Sequence, residues 1–411
     1  MAVFRNLRTI DSLRVPIFRR YFVSRLFDAS AMNIRQMALI ILMYRITGSA
    51  TLLGALVLAR AIPLLLLSPL AGAVADRVQK KYLIIGSSIV DMLVTVGIAA
   101  GLMTGFISAD RAGSWWVLIA AAVLNGMVTG TKGPSNDAMV IEVVGQERIT
   151  NAIALTQMGQ NLLRIISPAV AGVMIDQLGF PIVYLTMAGL YAGAVAFMWL
   201  VPPLSAPHQA QTNIFGDVRD VWNYILKQKD LLYILAMVFT MVFLSMPYRQ
   251  LMTIFTDDVL MVGATGLGIL NAVQGVGSIA GSFVLASVKE AKNRGRWLLI
   301  SGLVLGISIA VFAFSKSWFL SLGIMLIVGL GQAGRMTLPV ALLQSYSKNE
   351  FRGRIMSFYG VNLGLSSFGS FFAAILADNI GIQWSVGGLA LGLIGVSILG
   401  YLFVPRIRNL Q

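Results

Sequence analysis

The chain has 411 residues, 57% of them hydrophobic and only 12% charged, with 31 Lys and Arg against 17 Asp and Glu. Soluble domains carry about 25% charged residues, so this sequence cannot cover a water-facing surface and its expected solvent is a lipid bilayer. Cysteine is absent and His208 is the one histidine, which excludes disulfides and the usual thiolate or histidine-cluster metal sites; no cofactor, metal or enzymatic chemistry is expected.

The N-terminal stretch MAVFRNLRTIDSLRVPIFRRY lacks the apolar core of a signal peptide. A helix crosses the hydrocarbon layer with about 20 mostly apolar residues. Twelve such spans are read, at 21–45, 51–74, 82–105, 115–139, 150–175, 180–202, 231–256, 264–288, 297–314, 318–345, 353–377 and 382–404. The flanks on one side hold most of the basic residues, among them Arg19, Arg20, Lys80, Lys81, Arg148, Arg294, Arg352 and Arg406. The opposite flanks hold only Arg45, Arg111 and Lys316. The positive-inside rule then puts both termini in the cytoplasm. The net charge of +14 is spread over these segments rather than gathered in one patch, so no nucleic-acid partner is expected.

Ionisable residues inside spans are costly and become functional candidates. In span 1, Arg25, Asp28 and Arg35 share one helical face, within about 80° at 3.6 residues per turn, which predicts that Asp28 pairs with an arginine. Asp28 and, in span 3, Asp91 are the candidate proton-coupling carboxylates; Asp91 also reads as a structural partner for Arg60. Span 2 runs into GAVADRVQKK. There Gly72 allows close helix approach and Asp76 can face a helix N-terminus, followed by Arg77, Lys80 and Lys81. Lys132 lies in span 4. In span 5, Gln157, Gln160, Asn161, Arg164 and Pro168 fall within about 100° of one face. Arg249 lies in span 7, Asn271 and Gln274 make a polar stripe in span 8, and Arg335 lies in span 10.

The chain divides into a six-span half at 1–202, a polar linker at 203–230 and a second six-span half at 231–411. The linker is read as carrying an amphipathic surface helix, with Phe215, Val218, Trp222 and Ile225 on its apolar face. The halves echo each other: GMVTGTK (126–132) aligns with GLGQAGR (329–335), pairing Lys132 with Arg335, and DQLG (176–179) with DNIG (378–381). The GxGxxG pattern in GLGQAG follows no strand, so it is read as small residues for close helix packing. Repeated halves with a ligand site between them are a common plan of secondary transporters.

The segment TGSATLLGALVLARAIPLLLLSPLAGAVADRVQKK resembles span 2 and the following loop of the major facilitator superfamily, in its branch of enterobactin exporters and macrolide efflux pumps. ERITNA (147–152) and FRGRIMS (351–357) resemble the starts of that family's spans 5 and 11, and RIISPAVAG resembles its span-5 antiporter motif, through Ser167, Pro168 and Gly172. The resemblance implies an all-α membrane protein of twelve helices in two pseudo-symmetric halves. It implies a cytoplasmic latch joining Gly72, Asp76, Arg77, Lys80 and Lys81 to the start of span 11 near Arg352 and Arg354. It also implies an interface between halves formed by spans 5 and 8, and a central cavity lined by spans 1, 4, 7 and 10, hence by Arg25, Asp28, Arg35, Lys132, Arg249 and Arg335. Five cations against Asp28 predict a taste for anionic groups.

The function this implies is proton-coupled export of a small amphipathic compound, of drug or siderophore type, by a monomer in the cell inner membrane, with alternating access. The alternatives are a lysophospholipid flippase, an importer of organic anions or, from another class, a non-transporting membrane receptor.

Overall fold

Long apolar runs cannot leave backbone N–H and C=O groups unpaired in lipid, and a helix satisfies them within one segment. The computed structural model accordingly consists of helices and short turns, with no strand among the described residues. It describes residues 11–111, 113–203, 222, 224–287, 293–408 and 410, without the side chains of 68–77, 134, 357 and 363. The helices are α1 (Pro16–Thr47), α2 (Ala50–Arg77), α3 (Lys80–Met103), α4 (Trp116–Val144), α5 (Ile149–Trp199), α6 (Lys229–Ser245) and α7 (Pro247–Ile254). They continue with α8 (Gly263–Ser287), α9 (Arg294–Phe314), α10 (Trp318–Tyr346), α11 (Asn349–Tyr359), α12 (Asn362–Ile380), α13 (Ile382–Phe403) and a final turn, α14 (Pro405–Arg408). Nine helical segments among the described residues are long and apolar enough to cross a membrane.

Two compact units emerge. Unit 1 comprises residues 1–42 and 62–212; unit 2 comprises 43–61 and 213–411. The end of α1 and the first turns of α2 thus group with unit 2.

In unit 1, one end of the bundle is closed by Phe18 and Tyr21 of α1, Ile84 and Ile85 of α3, Met139 and Val143 of α4, and Ala152 and Met198 of α5, all buried. Basic side chains ring this end and are tied down locally. Arg20 Nη1 donates to the Leu200 carbonyl at 2.9 Å and Lys81 Nζ to the Trp199 carbonyl at 2.9 Å. Lys80 pairs with Glu142 at 2.5 Å, and Arg148 Nε lies 3.4 Å from Asp11. The long α5 is interrupted at Gly179 (φ 79°, ψ 167°), a backbone conformation that glycine adopts without steric cost.

In unit 2, α8 and α10 approach closely because glycines meet: a Cβ at Gly277 would lie 2.1 Å from the Leu326 carbonyl oxygen, and one at Gly329 would lie 2.2 Å from that of Gln274. This is the close packing that the small residues of GLGQAG provide. The expected span 231–256 is not one continuous helix. Pro247 has no N–H to give the Phe243 carbonyl, so α6 ends at Ser245 and α7 begins at Pro247. The backbone of Gly369 comes close to that carbonyl; a Cβ there would sit 2.6 Å from it. A π-helical turn, Phe255–Val259, follows α7. The expected span 353–377 is likewise two pieces, α11 and α12, parted at Gly360 and Val361. In the linker, Phe215 and Val218 lie outside the described residues, whereas Ile225 is buried and the Trp222 ring centroid lies 5.7 Å from that of Phe358.

Candidate functional site

The candidate site in unit 1 grows from α1, whose residues 25, 28, 32 and 35 recur at helical spacing on one face. Asp28 and Arg35 are buried there, facing Asp91 of α3 and Lys132 of α4, themselves buried. Arg35 Nη1 bonds Asp91 Oδ1 at 2.5 Å. Lys132 Nζ contacts Asp28 Oδ1 directly and lies 3.7 Å from Asp91 Oδ2. Arg25 Nη1 stands 3.9 Å from Asp28 Oδ2. Asn125 of α4 donates to Asp91 Oδ1 at 3.2 Å. The Tyr191 ring, from the second arm of α5, lies 5.4 Å from the Arg35 guanidinium carbon and 5.6 Å from Lys132 Nζ, within the range of cation–π attraction.

A cavity of about 170 Å³ opens on this cluster, lined among others by Arg25, Asp28, Arg35, Asp91, Lys132 and Arg164. One ammonium is therefore shared between two carboxylates, each of which also has a guanidinium, Arg35 in direct contact with Asp91 and Arg25 at 3.9 Å from Asp28. Such an arrangement can exchange partners: a proton on Asp28 would remove its hold on Lys132 and leave the ammonium to Asp91.

The arginine expected beside Asp28 is Arg25, one turn away at 3.9 Å; Lys132 is a second and closer partner that the spacing within α1 could not show, because it comes from α4. Asp91 is held within unit 1 by Arg35, Lys132 and Asn125. Asn125 and Tyr191 were missed. A lone Asn in the apolar run WVLIAAAVLNGM was the available signal, since an unpaired amide in hydrocarbon is costly.

The remaining sequence candidates fall as follows. In α5, Gln157, Asn161 and Arg164 are exposed, Gln160 lines the cavity, Ser167 and Gly172 are buried, and Pro168 sits inside the helix. In unit 2, Arg335 is buried and Arg249 exposed. Gln274 donates to the Tyr248 hydroxyl at 2.6 Å, and the Asn271 amide bonds its own helix at Leu267. Of the latch candidates, the side chains of Gly72, Asp76 and Arg77 lie outside the described set. Lys80 and Lys81 make the contacts within unit 1 given above. Arg352 is exposed, and the Arg354 guanidinium lies 5.9 Å from the Phe351 ring centroid.

Comparison with known proteins gives a consistent result. Residues 8–410 match the family described as "Transmembrane secretion effector". A macrolide efflux protein A of Streptococcus pyogenes is 24% identical over 356 residues, covering 85% of this chain and 86% of that protein. A staphyloferrin A transporter of Staphylococcus aureus is 26% identical over 369 residues, covering 88% and 90%. Among solved structures, the nucleoside transporter NupG superposes with a TM-score of 0.73 at 13% identity, over 95% of this chain and 99% of that one; at that identity the likeness concerns the fold.

Proposed function

The chain belongs to the transmembrane secretion effector family of the major facilitator superfamily and is a multi-pass membrane transporter, and from that premise we propose that it is a proton-coupled exporter of a small amphipathic compound of drug or siderophore type. The observation that carries the proposal is the buried cluster of Asp28, Lys132, Asp91 and Arg35. Burying four charges stabilises a fold poorly; well-packed apolar residues of similar volume do as well or better. Their use here is exchange. With Asp28 ionised, Lys132 is shared by two carboxylates. With Asp28 protonated, the ammonium keeps Asp91 alone, and the α1–α4 contact loosens. A group that binds a proton in one conformation and a cation in the other links proton flow to the conformational change.

Several features support the rest of the reading. The efflux activity in the name of the Streptococcus pyogenes relative favours outward transport. The exposed polar stripe Gln157, Asn161 and Arg164 on an otherwise apolar helix suits a surface that meets water during part of a cycle. The basic residues at one end of unit 1 fit a cytoplasmic end, and twelve spans with both termini inside are part of the proposal. Asp76, with Gly72 and Arg77, remains our candidate for a latch that holds the cytoplasmic side shut, and we expect a monomer in the cell inner membrane.

The test is flux in proteoliposomes. A panel of macrolides and siderophores is offered with and without a pH gradient across the vesicle wall. Accumulation of one of them only while the gradient lasts supports the proposal; flux that proceeds equally without it contradicts proton coupling.

A further inference from the structure

The repeat-related cations Lys132 and Arg335 sit in opposite electrostatic settings. Lys132 has two carboxylates. Arg335, 4% exposed in α10, has none among the described residues: its Nε donates to Gln332 Oε1 at 3.1 Å and its Nη2 reaches Met246 Sδ at 3.8 Å. Both acceptors are neutral, and the thioether is a weak one. The other charged or titratable groups that influence it are Tyr248, Tyr359 and a second cation, Arg249. Where unit 1 sets an aspartate against its α4 cation, unit 2 sets a methionine at the break between α6 and α7.

An uncompensated guanidinium in an apolar interior is expensive, and a second cation within electrostatic range adds to the cost. The expense is recovered when an anion arrives. Arginine's planar fork matches a carboxylate through two parallel hydrogen bonds. The neighbouring Gln332, with Tyr248 and Gln274 joined at 2.6 Å, supplies further hydrogen-bonding groups. Met246 offers a polarizable apolar surface to the rest of a ligand.

We propose that Arg335, assisted by Arg249, receives a carboxylate of the transported molecule, so that unit 2 reads the charge of the cargo while the cluster in unit 1 handles the proton. This assignment rests on the export reading above. The cargo is then an amphipathic carboxylate, and the Arg335 guanidinium has an anionic partner only when the site is loaded.

The experiment measures binding to the purified full chain in phosphatidylcholine nanodiscs. The probes are benzoate, salicylate and deoxycholate, each beside its neutral amide. At least one carboxylate should bind the wild type, with its amide weaker by at least about tenfold, and R335Q should lose a similar factor. R249Q should lose roughly threefold, as an exposed charge does. Melting of R335Q at or above the wild-type temperature shows that the loss is not unfolding, and R249Q reports independently of folding at the buried position. The proposal is overturned if none of the three carboxylates binds, if amides bind as tightly, or if both variants keep wild-type affinity. It is also overturned if the effect of R335Q appears only when phosphatidylglycerol is added, which would make a lipid headgroup the occupant. Wild-type flux that ignores a pH gradient, with carboxylate affinity still falling in R335Q, would remove proton coupling and leave this site standing.

Discussion

Asp378, at the end of α12, accepts a 2.8 Å hydrogen bond from the backbone N–H of Thr51, in the first turn of α2. The same carboxylate takes the Ala50 N–H at 2.9 Å and the Ser49 hydroxyl at 3.0 Å. A side chain 327 residues away in sequence thus caps the start of α2, where the helix dipole favours negative charge. Nearby, the Tyr44 hydroxyl donates to Asp258 and Arg45 Nε lies 3.2 Å from Asp257. These bonds give a physical reason for residues 43–61 to group with unit 2.

Burial alone would raise the Asp378 pKa, but the hydrogen bonds from Thr51, Ala50 and Ser49 outweigh it and hold the carboxyl below its ordinary value. A depressed folded-state pKa contributes stability that is fully present above the unfolded value and is lost as pH falls through the folded one. Asp378→Ala should therefore cost about 0.5–1 kcal/mol, the lower part of the capping range because the site is exposed. The gap in melting temperature between variant and wild type should hold from about pH 5 to 8 and close only in stronger acid. A gap that closes between neutral pH and pH 6 would mean that another group provides the cap.

Lys132→Met leaves Asp28 and Asp91 without their shared cation and should destabilise unit 1 by about 3–5 kcal/mol. Adding Asp28→Asn should recover part of that loss, with a coupling of about 1–3 kcal/mol in the double-mutant cycle. Denaturation of the four proteins in mixed micelles measures it; additive losses would show that the two side chains do not act on each other.

The contact of α8 with α10 predicts a sharp contrast between glycines. Gly277→Ala forces a methyl group against the Leu326 carbonyl and should cost about 1–3 kcal/mol. Gly97→Ala in α3, where a Cβ would meet nothing within 4 Å, should be neutral. Equal melting temperatures for the two variants would remove the close packing from the account.

Much of the helical layout was legible because apolar run length is a direct physical signal: the expected spans 264–288 and 382–404 correspond to Gly263–Ser287 and Ile382–Phe403. The repeat DQLG and DNIG was legible too, and both copies end in a left-handed glycine, Gly179 at φ 79° and Gly381 at φ 86°. The break at Met246 was written in Pro247 but not read, since the apolar run continues through it. Charge pairing was less legible. Helical spacing tells which of Arg25, Asp28 and Arg35 share a face, but not which helix stands opposite. Asp91 could be given to Arg35 only once α3 was set against α1, and the difference between Lys132 and Arg335 is invisible in an alignment that pairs them.

The central claim is that Asp28 exchanges Lys132 for a proton, and Asp28→Asn tests it most directly. In proteoliposomes carrying a confirmed cargo, the variant should still exchange labelled for unlabelled cargo. Its accumulation driven by a pH gradient should fall to the level of empty vesicles. Accumulation by Asp28→Asn at the wild-type rate and with the wild-type dependence on the gradient would contradict the account.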